Sequence, residues 1–526
     1  MNSTHNFLFV SDFHIGEGRD PRTGLTHRNE NFFQDDAFAQ FILYHVQMSA
    51  KGDGKPWKLV LNGDLFDFLQ VTTLPSKKEL AEVVPDRELS DNEKKFGLGT
   101  SERATVWKLK KVAQGHPLFF SALAWFVAHD RYEIVLLKGN HDIELMWPVV
   151  QEAFHNCVAE AYENWQQYPS IFPQEADLPD TLSEDLLRKA IWFEPHFYYE
   201  PDLFFVEHGC QYDPANAFQD FEKPIITVRN ERVIDLPQGS FLVRYFFNKV
   251  ESVHPFADNL KPMSRYVIWI LSNAPAQGIR FIFSILPDYV RTAVQMRKKS
   301  VKKVIKYVKV DQHGHTHPTE FWEKYMQIQG GIRQEMADFG KQTTWRGIGA
   351  FALALLGLIF LVVFIRMIAI GSWGFVLLAL VAIVLSALGS VMLFNSIENV
   401  LTSTYLFRAA ERVADLLNER PGTKFGPVRY LVIGHDHAAR SWELENLTRR
   451  NMPNYRQWYV NTGSWIPVFS EIDQLERPSA NLTFFRIIPE EIRDEHYGDV
   501  PQLMRWAPEL GEPVLVRMFA KPEEIA

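Results

Sequence analysis

Six short polar clusters, each next to an apolar run, hold the residues of this chain best suited to chemistry. They are Asp12-Phe13-His14, Gly63-Asp64-Leu65-Phe66-Asp67, Gly139-Asn140-His141-Asp142, Glu207-His208-Gly209, Gly434-His435-Asp436-His437 and Asn461-Thr462-Gly463-Ser464-Trp465. The first five supply Asp, Asn and His, which are ligands of borderline-hard divalent metals. Each has an ordinary reading when taken alone. Asp-x-His occurs as a strand-end turn, Asn-His-Asp as loop punctuation, and a His before Gly as a cap. Metal ligation accounts for all five at once, which the ordinary readings do not.

The elements that must position these residues are legible as short apolar runs. Phe7 to Val10, Lys58 to Leu61, Glu133 to Leu137, Leu203 to Val206 and Tyr430 to Ile433 are bounded and rich in β-branched or aromatic residues, which predicts buried strands. Helical patterns lie between several of them, for instance Pro117 to His129. That alternation predicts a layered α/β domain. In such sheets functional groups gather beyond the carboxyl ends of strands, so side chains distant in sequence converge along one rim.

The order and chemistry of the clusters resemble the calcineurin-like metallophosphoesterase family, which holds two metal ions and hydrolyses phosphate esters. The resemblance implies a β-sandwich flanked by helices. It also implies two cations about 3.5–4 Å apart that clamp the attacking and leaving oxygens and make hydroxide available near neutral pH. By the same resemblance Asp64 bridges the metals. Asp12, His14 and His437 would bind one, and Asn140, His208 and His435 the other. His141 then stays off the metals and steadies the phosphate or protonates the leaving alkoxide, so that His141 and Asp64 carry the catalysis. Asp67 and Asp142 are expected to orient ligands by hydrogen bonding. Mixed His, Asn and carboxylate ligation suits Mn, Fe, Zn or Co. Asp12 to His14, Gly63 to Asp67 and the His435/His437 pair also resemble the cytoplasmic UDP-diacylglucosamine pyrophosphohydrolases. The chain differs from these at His141, where they usually carry Arg, and in a membrane insertion.

A second Gly-His-x-His, Gly314 to His317 preceded by His313, competes with the later copy. It follows the basic, helix-like stretch Arg291 to Lys309, whereas the later copy follows a strand and precedes the return strand Trp458-Tyr459-Val460. The metals are therefore assigned to His435 and His437. The triplet His313, His315 and His317 is read as a polar loop.

At 526 residues the chain exceeds one ordinary domain, so a catalytic core with additions is expected. The net charge of −9 leaves no basic excess, which argues against nucleic acid as the main partner. Cys157 and Cys210 have no disulfide-framework spacing and fit a reducing compartment. Met1 to Asn6 is polar and runs directly into the first strand, so no export signal is read there.

From Gly347 to Phe394 the only charge is Arg366. A helix crosses the hydrocarbon in about 20 residues, so two transmembrane helices fit, roughly Gly347 to Ala369 and Phe375 to Phe394. Arg366 is placed to snorkel, Trp345 and Trp373 to sit at interfaces, and Gly349, Gly357, Ala382 and Gly389 to allow close helix contact. Lys341, Arg346, Arg408 and Arg412 flank the hairpin, so the positive-inside rule puts the catalytic domain and both termini in the cytoplasm.

The expected organisation is a core of residues 1–215, a mostly helical insertion over 216–424, a second core part over 425–490 and a C-terminal extension over 491–526. Within the insertion, Phe241 to Phe247 and Tyr266 to Leu286 are candidates for the membrane interface. Arg291 to Lys309 fits either an amphipathic helix on anionic lipid or a solvated one. The leading expectation is a membrane-anchored phosphoesterase acting on a phosphorylated small molecule, lipid phosphate or nucleotide-lipid pyrophosphate. The alternatives are a scaffold or regulatory protein with a phosphoesterase-like domain, or a transporter that senses ligand. Oligomeric state leaves no mark in the sequence.

Overall fold

The computed structural model describes residues 4–248, 319–369, 380–383, 386 and 405–516, apart from 53, 86, 174–177, 229, 421–423, 445–455, 469–479 and 489–500. Its described residues form a mixed α/β fold. By contact the chain divides into one unit holding Met1–Gln211, Ala215–Tyr325 and Ala410–Ala526, and another holding Tyr212–Pro214 and Met326–Ala409.

The first unit contains two large sheets. Strands β1 (Asn6–Val10), β2 (Trp57–Asn62), β3 (Glu133–Leu137) and β4 (Ile191–Glu194) run parallel. After β5 (Phe197–Glu200), β6 (Phe204–Glu207), β7 (Ile225–Val228), β8 (Glu231–Ile234), β9 (Tyr430–Ile433), β10 (Arg440–Glu443) and β11 (Trp458–Asn461) come β12 (Thr483–Ile487), β13 (Gln502–Ala507) and β14 (Glu512–Leu515). The larger sheet has the order β14-β13-β12-β1-β2-β3-β4 and the smaller one β10-β11-β9-β6-β5, while β7 and β8 form a separate hairpin. All five strands expected to lead into ligand clusters are present, with Glu133–Leu137 and Tyr430–Ile433 at the expected bounds. The segment read as a C-terminal extension supplies β13 and β14, the outer strands of the larger sheet.

Alternation along the strands explains the layering. Phe7, Phe9, Val60, Val135 and Leu137 join Phe204, Val206, Tyr430, Val432 and Val460 in one core between the sheets. Leu8, Val10, Leu59, Leu61, Ile134 and Leu136 point the other way into a core with the helices Asp35–Lys51, Pro117–Val127 and Pro148–Tyr162. Phe204 meets Phe7 and Phe9 edge-on at centroid distances of 5.0 and 4.9 Å. Fully burying a side chain of this size contributes about 1.5–3 kcal/mol, so this inter-sheet cluster fixes how the two sheets face each other. The sandwich flanked by helices therefore follows from a period-two pattern with both faces apolar.

Two expectations for the insertion meet described residues. Phe241 to Phe247, a candidate for the membrane interface, is in part buried. It belongs to a helix, Gln238–Leu242, that continues as a π turn, Val243–Phe247, packed within the first unit. Arg244 and Tyr245 are buried there, and Tyr245 meets Phe96 at 5.0 Å. The second expectation concerns the spans. Among the described residues no helix is long and apolar enough to cross a membrane, so the two expected spans are without that support. Residues 347–369 are the end of one helix, Thr319–Ala369, whose earlier half is polar. Most of 375–394 lies outside the described residues. Gly357 is close to Ser386, where a Cβ on the glycine would stand 3.4 Å from the serine Cβ. Tyr266 to Leu286, Arg291 to Lys309 and the triplet His313, His315 and His317 also lie outside the described residues.

Candidate metal centre

Register brings the clusters to one rim. Val10 pairs with Leu61 and Asn62 with Leu137 in one sheet, while Glu207 pairs with Ile433 and Ile433 with Asn461 in the other. The turns beyond these ends are then tied together by backbone hydrogen bonds. Asp12 N donates to Gly63 O at 3.2 Å, His14 N to Asp64 O at 2.9 Å, Gly434 N to His208 O at 3.0 Å and Trp465 N to Asp12 O at 3.2 Å.

Backbone strain marks the same turns. Asp12, His14, Asp64, His435 and His437 all have positive φ, between 47° and 75°. Such conformations cost about 1–3 kcal/mol each in non-glycine residues and persist only where surroundings over-determine them. Close packing adds to the constraint. A Cβ at Gly139 would lie 2.1 Å from Asp64 Oδ1, and one at Gly63 would lie 2.5 Å from His208 Nδ1. Glycine is required wherever the backbone approaches the ligands this closely.

The side chains converge into three overlapping buried groups: Asp12, His14 and His437; His14, Asp64 and His141; and Asp64, His208 and His435. In the first, His14 Nε2 and His437 Nε2 are 3.1 Å apart, and Asp12 Oδ1 is 3.3 Å from His437 Nε2. In the last, His208 Nε2 lies 3.2 Å from Asp64 Oδ2. A cation with bonds of about 2.0–2.2 Å spaces its neighbouring ligands about 3.0–3.5 Å apart, so these separations are those of a coordination polyhedron. Asp64 Oδ2 is also 3.8 Å from His14 Nε2, which places that oxygen between the two outer groups.

Hydrogen bonds aim the ligating atoms. Asp12 Oδ2 accepts from the Ser11 hydroxyl and from His435 N, which leaves Oδ1 toward the histidines. His208 Nδ1 bonds Asn62 O at 2.9 Å, so Nε2 faces the centre. Asp64 Oδ1 accepts from His141 N at 2.8 Å. Asp436, between the two later histidines, accepts from Asn461 Nδ2 and pairs with Arg440 at 2.9 Å. Asp142 belongs to none of the three groups. Its carboxylate accepts from Leu65 N at 2.7 Å, Gly139 N at 2.6 Å and, more weakly, Asp64 N and Phe66 N, which fastens the Asp64 turn to the Asn140 turn. Asp67 Oδ2 bonds His141 Nδ1 at 2.8 Å while its Oδ1 caps Leu69 N and Gln70 N.

The electrostatics keep the acids ionised. Burial opposes the charge on Asp12, but His437 outweighs it and holds the carboxyl below the usual range. Burial likewise opposes Asp64, and His208 and His141 hold it low. In return burial works against a proton on His208, yet Asp64 raises the imidazole to about 9. Asp142 goes the other way, pushed up to about 6 by burial and by the charge of Asp64.

The donor set fits a divalent cation on observations independent of any resemblance. Asn140 Oδ1 is buried without a hydrogen-bond partner among the described residues. Asp12 Oδ1 is also buried without a regular hydrogen bond, with His437 Nε2 as its near neighbour. Buried acceptors left this way cost free energy that a cation relieves.

Every residue expected in the site lies at this rim, with Asp67 and Asp142 one step behind the ligands. Ser11, Asn62, Asp436 and Arg440 were not foreseen as supports, although adjacency to ligands was their available signal. Glu30 and His116 had none. Glu30 accepts from Gly16 N, Gly18 N and Phe32 N and so clamps the turn after His14, while His116 Nε2 lies 3.3 Å from Glu30 and its Nδ1 3.1 Å from Asp35.

Fold and site together define a layered α/β protein with a buried His/Asp centre able to hold a metal ion. No family model matches the chain, and no curated protein is significantly similar to it.

Proposed function

We propose that the chain is a phosphoesterase of the calcineurin-like metallophosphoesterase class that uses two divalent cations and is held at a membrane. The observation that carries this reading is Asp64 Oδ2, which stands 3.2 Å from His208 Nε2 and 3.8 Å from His14 Nε2, between two convergent ligand groups. Asp12, His14 and His437 would hold one cation and Asn140, His208 and His435 the other, with Asp64 shared. When bound, the pair would supply Lewis acidity for attack of water on the phosphorus of an ester or pyrophosphate.

The chain's own groups do the rest. Asp67, bonded to His141 Nδ1, fixes that ring, and Nε2 would be the atom that donates to a phosphate oxygen or to the leaving alkoxide. Burial excludes bulk water and strengthens each interaction. Asp142 holds the Asp64 and Asn140 turns at a constant separation, and a preset geometry is what in-line displacement requires.

Membrane attachment rests on the apolar stretch from Gly347 to Phe394 and on Leu356, Ile365, Leu380 and Val381, which expose between 41% and 59% of their surface. Exposed apolar side chains at this density mark contact with lipid or another apolar partner. The positive-inside bias then puts the metal centre on the cytoplasmic side, within reach of phosphorylated lipids.

The test uses full-length protein in detergent with Mn supplied, assayed on chromogenic phosphate monoesters and diesters alongside metal analysis. Wild type is expected to hold about two cations per chain. Asp64→Asn is expected to lose at least one of them and about a thousandfold or more in rate. Full turnover in that variant removes the reading, and recovery of wild type in the soluble fraction without detergent removes the anchoring.

A further inference from the structure

The long helix of the insertion delivers a tyrosine hydroxyl to the strand that carries His208. Strand β6 alternates: Phe204 and Val206 enter the core between the sheets, so Phe205 and Glu207 face the other side. The opening turns of the helix Thr319–Ala369 lie on that side. Phe321 and Tyr325 are four residues apart, hence on one helix face, and their rings stack at 5.6 Å. Tyr325 meets Phe197 at 5.7 Å and Phe205 at 6.1 Å. Phe321 stacks on Phe425 at 4.1 Å, and Trp322 meets the His196 ring edge-on at 4.7 Å. Phe321, Trp322 and Tyr325 are all buried, and all of these residues belong to the first unit. Aromatic side chains bury large areas in preferred geometries, so this box seats the start of the helix on the β5–β6 hairpin.

The seat aims one polar atom. Tyr325 Oη donates to Glu207 Oε2 at 2.5 Å, with both side chains buried. A hydroxyl this close to a carboxylate oxygen makes a charge-assisted bond, stronger than a neutral one. Glu207 immediately precedes His208, and its carbonyl is held as well. Glu207 O accepts from Asn62 Nδ2 at 2.9 Å, while Asn62 O takes His208 Nδ1 at 2.9 Å. Glu207 also pairs with Ile433, two residues before His435. His208 and His435, assigned to the same cation, therefore leave from strand ends that meet at Glu207. Asp12 and His14 leave from β1, in the other sheet.

We propose that Tyr325 is a positioning residue for the cation assigned to Asn140, His208 and His435, acting through Glu207 on the turn that carries His208. This rests on the two-cation reading of the centre and makes the insertion a part of that centre as well as its proposed attachment to a membrane. The hydroxyl holds the Glu207 side chain and Asn62 holds its carbonyl. Together they fix the peptide whose rotation would swing the imidazole off the metal.

The test is calorimetric titration of Mn into chelator-stripped, full-length protein in detergent. Wild type is expected to take up two cations per chain. Tyr325→Phe keeps the ring, and with it the aromatic seat, and removes only the hydroxyl. It is expected to weaken one Mn step about tenfold or more and to leave the other within about twofold. Adding Tyr325→Phe to Glu207→Leu should cause no further loss, because the hydroxyl acts through that carboxylate. Tyr199→Phe removes another hydroxyl of the same hairpin, one that accepts from Gly426 N, and should leave both steps unchanged. Unchanged Mn binding in Tyr325→Phe, or equal weakening of both steps, overturns the proposal. Uptake of fewer than two Mn by wild type strikes the two-cation reading and this inference with it. Two bound Mn without turnover on any phosphoester strikes the proposed hydrolysis alone.

Discussion

His116→Gln should remove a specific slope from the dependence of stability on pH. His116 is almost fully buried between Glu30, itself buried, and Asp35. Burial opposes a proton on the ring, but the Glu30 charge and the Asp35 hydrogen bond outweigh it and raise the imidazole from 6.5 to about 10. A raised histidine contributes stability that is complete below its unfolded value near 6.5 and is lost as pH rises through about 10. At about 1.4 kcal/mol per unit, a rise from 6.5 to about 10 corresponds to an upper bound of about 4–5 kcal/mol. Urea unfolding at about pH 6, 8 and 10 should therefore show the wild-type advantage over His116→Gln shrinking by several kcal/mol across that range. Groups that titrate alike in both proteins cancel in the difference. An advantage that stays constant to within about 1 kcal/mol refutes the argument, since the ring would then not be carrying its proton into the folded state. The same variant should loosen the turn from Gly16 to Gly18, whose amides Glu30 holds, and so weaken metal retention through His14.

Three further outcomes follow from the site. Asp142→Ala strands the buried amides of Leu65 and Gly139, at about 1–3 kcal/mol each, and metal analysis with circular dichroism should show metal lost before secondary structure. Unchanged metal content would contradict its role in joining the two turns. His141→Ala should lower turnover by about 10²–10⁴ with metal content retained, and loss of a cation instead would make His141 a ligand, as its grouping with His14 and Asp64 allows. His435→Ala should abolish metal binding at one site while His315→Ala leaves hydrolysis within about threefold, and equal losses would move the ligands to the earlier Gly-His-x-His.

The strands leading into the ligands were legible because their signal is local. Tyr430–Ile433 and Glu133–Leu137 are apolar runs bounded by polar residues, and burial on both faces leaves them no other place. Residues 502–515 carried no comparable signal. Gln502-Leu503-Met504-Arg505-Trp506-Ala507 alternates weakly, and only pairing with β12 makes it a sheet strand. Phe241 to Phe247 is ambiguous for the opposite reason. Its aromatic content reads the same whether it meets lipid or a protein core, and only the fold shows that Arg244 and Tyr245 are buried.

At the centre the sequence by itself determined the inventory: which acids, amides and imidazoles are available, and that each follows a strand. Residue type and local periodicity are properties of adjacent residues, so they survive in a linear reading. Tertiary structure alone decided the geometry. It turned Asp12, His14, Asp64, His435 and His437 into positive-φ conformations, set His14 3.1 Å from His437 across the sandwich, and buried Glu30 against His116. Those arrangements depend on two sheets packing face to face, which closes loops hundreds of residues long. No short window of sequence encodes that contact.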